Sequence, residues 1–398
     1  MRIPKYHPKI TCSNHMRSIF RKIPSEIKYI LVLFTVTRII LTFSGVYSRH
    51  VFKNIYDTWY EWNYSKYAVL DIWSAWDSGW YLDIAENGYS PILQSDLPKR
   101  TCCGQSNIVF LPLYPMTIKI LGLIINDYHS AGIVLSNFYL LLSALILHKI
   151  VKDEFGKKTG EVAVLLFFTF PTSFILSSIF SESLILLLLL LCIYFARQEK
   201  WAMASIFGFF ATFTKITGLL VLPILIWEYL LKNRFQMKKD FVYFLLIPLG
   251  LIIFMLFTYV KFGNFWAYFN VRRYAWNIVP ENSIEVLVGF LNSGNSALKF
   301  ISYYAITSLV LMVAILFSNL PRIYKNFTLL FTVFPLISGR EVVIGYPRVS
   351  VIIFPIVIFL ASVITTKRSA RFLTSLIIIF FTLQLLFISQ FSIGLLFI

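Results

Sequence analysis

Long apolar runs separated by short polar or basic segments are the dominant pattern of this chain. Runs near bilayer length predict membrane-spanning α-helices, because about 20 apolar residues cross the hydrocarbon core. The pattern therefore predicts an all-α, polytopic integral membrane protein with about eleven transmembrane helices. The predicted spans are residues 29–47, 131–151, 161–179, 183–197, 201–213, 217–231, 241–260, 300–317, 327–340, 347–364 and 372–397.

The composition agrees with this class of protein. Hydrophobic residues make up 58% of the 398 residues and charged residues 14%, whereas soluble domains carry about 25% charged residues. A soluble enzyme is thereby excluded. The net charge of +17 would indicate a nucleic-acid partner in a soluble chain, but here the bases flank apolar runs, as they do when loops are retained in the cytoplasm. We expect membrane lipids, and no nucleic acid, as partners.

The basic segments also predict the orientation in the membrane. Residues 1–28 hold seven Lys or Arg against one acid, Glu26, which places the N-terminus in the cytoplasm. Counting spans from there puts segments 48–108 and 261–299 outside, with 110–125 as an interfacial helix. The predicted organisation is a basic cytoplasmic segment, 1–28, and a single membrane domain, 29–398, in which 48–108 is the extracytoplasmic catalytic loop and 261–299 a second external loop.

The stretch from Trp73 to Tyr89 carries the strongest chemical signal. Read as an interfacial helix, positions 73, 76, 77, 80, 81, 84 and 88 share one face. That face is aromatic with a single carboxylate, Asp77. A partly desolvated carboxylate suits the role of a general base, so we predict that Asp77 is catalytic and that Trp76 and Tyr81 contact substrate. The alternative is an amphipathic interfacial helix whose Asp77 faces water.

Asp83 and Glu86 lie off this aromatic face. They are either solvated or could contact a divalent cation, Mg or Mn, together with the substrate. The chain shows no Gly-rich nucleotide loop and no metal-ligand spacing among its five histidines. The sequence therefore predicts no dedicated metal site, and it contains no recognisable motif for binding a nucleotide donor.

Polar residues interrupt several later apolar runs at positions that the topology puts outside. Such groups are costly at bilayer depth and are functional candidates by default. Glu182 follows Ser181 at a turn and could bind a sugar hydroxyl or position a cation, or could act as a helix N-cap partner. Several external cations could bind a lipid phosphate, with snorkelling to head groups as the alternative; these are Lys215, Arg340, Arg348 and the pair Arg272 and Arg273.

Two further residues complete the set of candidates. Tyr114 lies between Pro112 and Pro115 in a broken helix start, and irregular backbone at membrane depth is tolerated only beside protein or a watery cavity. A simple helix start is the alternative. Arg38 lies in the middle of the first span, where an unpaired charge is expensive. We expect Asp77 or a substrate phosphate as the partner of Arg38.

Several short motifs, taken together and in order, resemble the PIG-V-like mannosyltransferases. The resemblance covers about residues 30–365, and each motif falls at a predicted membrane edge. The matching residues are Trp76-Asp77, Tyr81, Ile84-Ala85, Gly88-Tyr89, Pro112-Leu113-Tyr114-Pro115, Pro171-Thr172, Ser181-Glu182-Ser183-Leu184, Thr217-Gly218, Pro347-Arg348 and Phe354-Pro355.

The resemblance implies the GT-C glycosyltransferase fold and an inverting transfer of a sugar. In eukaryotes this family is similar to the enzyme that adds the second mannose during glycosylphosphatidylinositol assembly from dolichyl-phosphate mannose. For this chain it implies transfer of mannose from a polyprenyl-phosphate carrier to a lipid-linked or exported acceptor on the extracytoplasmic face. The short chain favours a bacterial or archaeal plasma-membrane protein; a eukaryotic one would lie in the endoplasmic reticulum.

Two departures from the family pattern fall at positions that touch donor binding. The family commonly has Arg where Lys215 stands and Tyr where Val349 stands. A lysine keeps the charge but loses the bidentate geometry that arginine offers a phosphate. The competing hypotheses are a lipid or lipid-linked-sugar transporter, whose cations would hold a head group during flipping, and a noncatalytic scaffold that docks a partner through its aromatic loop.

Overall fold

The computed structural model describes residues 24–57, 64–90, 106–367 and 369–395. Most of the predicted cytoplasmic segment, and residues 58–63 and 91–105 of the first predicted external loop, lie outside the described residues. The described chain is helical, with α1 (Ser25–Asp57), α2 (Ala68–Asp71), α3 (Ser78–Asn87), α4 (Leu113–Ile125), α5 (Tyr128–Phe155), α6 (Lys157–Thr169), α7 (Glu182–Arg197), α8 (Trp201–Thr214), α9 (Val221–Lys232), α10 (Leu246–Phe262), α11 (Ala267–Tyr274), α12 (Ser283–Leu291), α13 (Ser296–Leu316), α14 (Arg322–Ile337), α15 (Arg340–Ile344), α16 (Tyr346–Val349), α17 (Pro355–Lys367) and α18 (Ala370–Ser392).

Short 3-10 helices connect or extend several of these helices. They are Asn107–Val109, Ser173–Ser177, Ile216–Leu220, Lys239–Leu245 and Ser350–Ile352. A 3-10 turn has poorer hydrogen-bond geometry than an α-helix and is used in short pieces at helix ends and connections. The turns at Ser173–Ser177, Ile216–Leu220 and Ser350–Ile352 interrupt predicted apolar spans, so the membrane helices are broken at these places.

Within the described residues, five helices are long and apolar enough to cross a bilayer. They are Ser25–Phe52, Tyr128–Phe155, Lys239–Phe262, Ser296–Leu316 and Ala370–Ser392, and the pair Tyr346–Ile352 and Pro355–Lys367, bent by 64°, makes a sixth if it counts as one span. The chain is an all-α integral membrane protein. Each predicted span falls on at least one helix, but the count of eleven crossings is not confirmed.

Helix α7 lies at the centre of the bundle. Every residue from 182 to 190 is buried, as expected of a helix that is apolar on all sides. It packs against α5 and α8, while α1 and α18 pack against each other. Because lipid tails are as apolar as these side chains, close packing rather than the hydrophobic effect stabilises such contacts within a bilayer. The buried N-terminus of α7 thus brings Glu182 into the protein interior.

Buried polar contacts hold the segment that begins at residue 64 against the helical bundle. The Asp71 carboxylate pairs with Arg49 of α1 and accepts hydrogen bonds from the backbone N–H of Tyr64 at 2.7 Å and of Ser65 at 2.9 Å. Two residues further on, the backbone carbonyl of Trp73 accepts from Ile179 N at 3.0 Å. These bonds fix the backbone immediately before α3, although this segment has little regular structure.

The predicted interruption of the apolar stretch at Lys215 is present as a backbone break. Helix α8 ends at Thr214, Lys215 is extended with φ −158° and ψ 141°, and the 3-10 turn Ile216–Leu220 folds back on α8. A Cβ on Gly218 would lie 2.3 Å from the carbonyl carbon of Ala211. Only glycine therefore permits this close approach, and the approach directs Lys215 away from the axis of α8.

Candidate active site

A cavity of about 290 Å³ opens where three breaks in the helical bundle meet. These are the turn before α3, the break after α8 and the short helix α16. The predicted site residues that line it are Trp76, Asp77, Tyr81, Lys215 and Arg348. We call it the central cavity. Its walls join segments that are up to 273 positions apart in the chain, from Trp76 to Val349, and its size is near the lower end of the range for small-molecule sites.

Asp77 enters the cavity from a turn, so the prediction of one helix through residues 73–88 is wrong in its first part. Helix α3 begins at Ser78, and Asp77 occupies its N-cap position without making a side-chain capping bond. Trp76 has φ 51°, a conformation that residues other than glycine adopt rarely. The hydrogen bond from Ile179 N to the Trp73 carbonyl holds the turn. The side chain of Asp77 therefore projects from the end of α3.

Four charged side chains form a continuous chain of ion pairs at the cavity wall. Arg348 NH1 donates to Asp77 Oδ2 at 2.5 Å, and Arg348 Nε lies 3.2 Å from Glu182 Oε1. Lys215 Nζ donates to the same Glu182 oxygen at 2.6 Å. The Glu182 side chain is only 2% exposed. Two acids thus neutralise two bases, which is the arrangement that lets charges persist in a buried site.

This chain of charges fits one of the alternatives predicted for Glu182, that it positions a cation. Its carboxylate contacts two protein cations, Lys215 and Arg348. Ser181 is the N-cap residue of α7 and makes no side-chain capping bond. Arg348 also has its guanidinium 5.2 Å from the ring centroid of Phe180, within the range of a cation–π contact. Glu182 therefore positions both cations at the cavity.

Tyr81 connects α3 to the start of α7. Its hydroxyl lies 2.8 Å from Ser181 Oγ, and its ring meets Tyr114 edge-on with centroids 5.1 Å apart. Burial, and secondly the charge of Glu182, raise the pKa of Tyr81 well above its ordinary value. Its hydroxyl consequently stays protonated at neutral pH. Tyr114 is fully buried, and its hydroxyl lies 2.6 Å from Ser136 Oγ. It packs against Tyr81 and does not line the cavity.

Arg38 does not pair with Asp77, contrary to our expectation. Its NH1 donates to Ser177 Oγ at 2.9 Å and to the Ser173 carbonyl at 3.4 Å, and no acid pairs with it among the described residues. A carbonyl and a hydroxyl oxygen of the 3-10 turn Ser173–Ser177 thus take the place of the expected partner. Arg38 does not line the central cavity.

Arg340 is also placed apart from the central cavity. It lines a neighbouring cavity of about 320 Å³ together with Glu281 and Glu285, and its guanidinium lies 5.1 Å from the ring centroid of Phe290. The turn at Gly345 between α15 and α16 separates it from Arg348. Of the external cations singled out in the sequence, Lys215, Arg348 and Arg272 line the central cavity.

Asp83 and Glu86 are not brought to the central cavity either. Asp83 accepts hydrogen bonds from Asn87 Nδ2 at 3.0 Å and Asn107 Nδ2 at 2.9 Å, which holds the 3-10 turn after residue 106 against α3. Glu86 is exposed. Among the described residues, no group of three or more His, Cys, Asp or Glu side chains could hold a metal ion. The contacts of Asp83 indicate a structural role.

Part of the cavity wall was not predicted from the sequence. Tyr268, Trp276 and Glu341 line the central cavity beside Arg272. Trp276 donates from Nε1 to the Ser106 carbonyl at 3.0 Å, and its ring packs on Trp80 and Phe110 with centroids 5.6 and 5.5 Å apart. The sequence could have indicated this helix through its amphipathic pattern, in which Arg272 follows Tyr268 by four residues. Nothing in the local sequence indicates that the helix faces Asp77.

Gly339, which precedes α15, is in close contact with Val279 of the segment that follows Trp276. This contact leads to a prediction. Gly339 has φ 111°, and a Cβ there would lie 2.0 Å from the Val279 carbonyl oxygen. We expect Gly339→Ala to displace this segment and to lower the melting temperature, because both the φ value and the contact exclude a side chain.

The control for Gly339→Ala is Gly289→Ala, in the predicted external loop 261–299 that also contains Val279. A Cβ on Gly289 meets nothing within 4 Å, and the residue is helical, so alanine there should be neutral or slightly stabilising. Thermal denaturation of the detergent-solubilised variants measures both. Equal melting temperatures for the two variants would show that the close packing at Gly339 is unimportant.

The fold is that of an all-α, polytopic integral membrane protein, as predicted. The structure is similar to the crystal structure of ArnT from Cupriavidus metallidurans bound to undecaprenyl phosphate, with a TM-score of 0.55, 11% sequence identity, and coverage of 92% of this chain and 76% of that chain. It also matches ArnT from the same organism in the apo state, with a TM-score of 0.36, 14% identity, and coverage of 82% of this chain and 76% of that chain.

The likeness to ArnT at 11% identity shows the fold. No protein-family model and no curated protein sequence matches the chain. The narrower resemblance to PIG-V-like mannosyltransferases therefore stays a prediction, which is based on the ordered motifs.

Proposed function

We propose that this protein is a membrane glycosyltransferase that uses a sugar carried on a polyprenyl phosphate. The observation that carries the proposal is the meeting of the Asp77 carboxylate with Lys215 and Arg348 in one cavity. A carboxylate can accept a proton from an acceptor hydroxyl, and cations can stabilise the phosphate that leaves. The ArnT structure with the same fold is bound to undecaprenyl phosphate, which supports a lipid of this class as donor.

The reaction we propose is a single displacement at the anomeric carbon. Asp77 takes the proton of the acceptor hydroxyl as its oxygen forms the new bond to that carbon. The bond from the same carbon to the phosphate oxygen breaks, and its electron pair leaves with the polyprenyl phosphate. Lys215 and Arg348 offset the charge that develops on that phosphate. One displacement inverts the configuration and needs no covalent glycosyl-enzyme intermediate.

The ion pair between Asp77 and Arg348 has a consequence for this reaction. In the free protein, Arg348 occupies one oxygen of the Asp77 carboxylate at 2.5 Å. A donor phosphate beside Arg348 competes for the same guanidinium, and this competition frees the carboxylate for the acceptor. Donor binding should accordingly precede productive acceptor binding. Glu182 keeps Arg348 in the cavity wall while its other contact changes.

The finer features of the function follow from the predicted topology and the PIG-V-like motifs. We propose mannose as the sugar, a lipid-linked or exported glycan as the acceptor, and transfer on the extracytoplasmic face. The N-terminus would then lie in the cytoplasm, and the membrane would be the plasma membrane of a bacterium or archaeon, or the endoplasmic reticulum of a eukaryote. Trp76 and Tyr81 line the cavity beside Asp77 and are placed to contact the sugar.

The proposal predicts glycosyl transfer by the purified full chain in liposomes. Radiolabelled mannosyl, glucosyl and galactosyl polyprenyl phosphates are supplied in parallel with a membrane-lipid extract as the source of acceptors. We expect label from the mannosyl donor to enter a new glycosidic bond whose anomeric configuration is opposite to that of the donor. If label from a different donor enters the product instead, the protein is still a transferase, but its sugar is not mannose.

The rival transporter gives a different outcome in the same vesicles. It would move the labelled donor between leaflets without any new glycosidic bond, and Asp77→Asn would not affect that movement. Donor movement without product, seen with every acceptor source, would contradict the proposed transferase.

A further inference from the structure

The charges that line the central cavity are not all equivalent. Lys215 and Arg348 are both bonded to acids, so their positive charges are already offset by Glu182 and Asp77. An incoming phosphate must compete with these carboxylates before it gains the full attraction of either cation. Because both cations are already paired, we expect neither of them to be the first residue that binds an anionic head group.

Arg272 is different, because no acid of the described residues pairs with its charge. It lines the central cavity, and among the described residues it takes part in no ion pair. Its Nη1 donates a hydrogen bond to the Tyr268 hydroxyl at 3.4 Å. Glu341 lines the same cavity but forms no ion pair with Arg272 within 4.0 Å. The remaining guanidinium donors are available to an anion.

The position of Arg272 is fixed by the packing of helix α11. Tyr268 and Val271 on that helix are buried at 1% and 4% exposure. The carbonyl of Arg272 accepts from Ile278 N at 2.8 Å, and Trp276 is anchored to the Ser106 carbonyl. An arginine held this way needs little reordering to bind an anion, and its planar fork matches two phosphate oxygens.

We propose that Arg272 is the primary binding residue for the phosphate of the polyprenyl carrier. The proposal rests on the proposed function. In this arrangement Arg272 makes the first contact with the phosphate, and Lys215 and Arg348 then shift from their acids to the bound phosphate before the sugar is transferred. The departing phosphate is thereby bound by three cations.

The test compares Arg272→Gln with Arg273→Gln in the full-length, detergent-solubilised protein. Arg273 is the adjacent residue on α11, is exposed, and does not line the central cavity, so it is a matched control for charge. Binding of undecaprenyl phosphate is measured by native mass spectrometry, and melting temperatures verify folding. Undecaprenol, which lacks the phosphate, and inorganic phosphate are the comparison ligands.

We expect Arg272→Gln to weaken binding of undecaprenyl phosphate by about 10- to 100-fold, the effect of losing a hydrogen bond to a charged group. Arg273→Gln should remain within about twofold of the unchanged protein. Arg272→Lys should fall between them, because lysine keeps the charge without the fork. Undecaprenol should bind the unchanged protein and Arg272→Gln equally, and inorganic phosphate should fail to displace the lipid.

Four outcomes would overturn the proposal, and they are distinguishable from one another. Unchanged lipid binding by folded Arg272→Gln, or equal weakening by Arg272→Gln and Arg273→Gln, refutes the role of Arg272 and leaves the proposed function standing. Displacement of the lipid by inorganic phosphate identifies free phosphate as the ligand. Absence of lipid-phosphate binding by the unchanged protein overturns this proposal together with the proposed function.

Discussion

Asp77→Asn should lower the turnover of glycosyl transfer by about 10²- to 10⁴-fold, the contribution typical of a general base. The asparagine oxygen can still accept the hydrogen bond from Arg348, so the wall of the cavity should persist. Donor affinity should stay the same or improve, because Arg348 is no longer held by a full negative charge. Initial rates at varied donor concentration separate the loss of turnover from any change in donor affinity.

The control for this substitution is Glu86→Gln on the same helix. Glu86 is exposed and does not line the central cavity, so its loss should change turnover by less than about twofold. Melting temperatures of both variants should lie close to that of the unchanged protein. Turnover by a folded Asp77→Asn protein at more than about a tenth of the original rate would remove Asp77 as the base.

Glu182→Gln should cause the largest loss of stability among substitutions at the site. Glutamine keeps the shape of the side chain but leaves Lys215 and Arg348 with one acid, Asp77, between them. Removing one partner of a buried ion pair costs about 3–5 kcal/mol, because it leaves an uncompensated charge in the interior. Thermal denaturation in detergent should show this as a marked fall in melting temperature.

The compensating variant is Glu182→Gln combined with Lys215→Met, which removes one positive charge together with the negative one. We expect the double variant to lose less stability than the sum of the two single variants, by about 0.5–3 kcal/mol, the usual size of coupling between contacting residues. Strictly additive losses would show that Glu182 and Lys215 do not stabilise each other.

The pattern of apolar runs was sufficient to predict the fold class, because membrane-spanning helices follow directly from the length of such runs. Asp77 was singled out as the one carboxylate on an aromatic face. Lys215 and Arg348 were singled out as cations at breaks or ends of apolar runs, positions that are expensive unless other polar groups meet them. The predicted topology puts all three on the same side of the membrane, and in the structure they line one cavity.

The errors came from tertiary partners that local sequence does not reveal. The helical period from Trp73 onward is also compatible with a turn, and the bond from Ile179 to the Trp73 carbonyl selects the turn. Arg38 was expected to pair with Asp77 or a substrate phosphate, but in the structure it donates to a backbone and a serine oxygen of the turn at Ser173–Ser177. Hydroxyl and carbonyl partners of this kind leave no charge pattern in the sequence.

The cations near the C-terminal end show the same limit. Arg340 and Arg348 are eight residues apart, and sequence alone treats both as external cations. A turn between α15 and α16 separates the two. Arg348 forms ion pairs with Glu182 and Asp77, whereas the guanidinium of Arg340 packs on the ring of Phe290 in the neighbouring cavity. The contribution of Trp276 was unpredictable for a related reason, since its contacts are with residues 80, 106 and 110.

A structure of the full chain with an uncleavable donor, in which a phosphonate carbon replaces the anomeric oxygen, would test whether the central cavity is the site of transfer. We predict that the phosphonate lies within hydrogen-bond distance of Arg272, Lys215 or Arg348, that the sugar lies between the phosphonate and the Asp77 carboxylate, and that the contact between Asp77 and Arg348 has opened. A head group bound outside this cavity, with Asp77 still bonded to Arg348, would contradict the account.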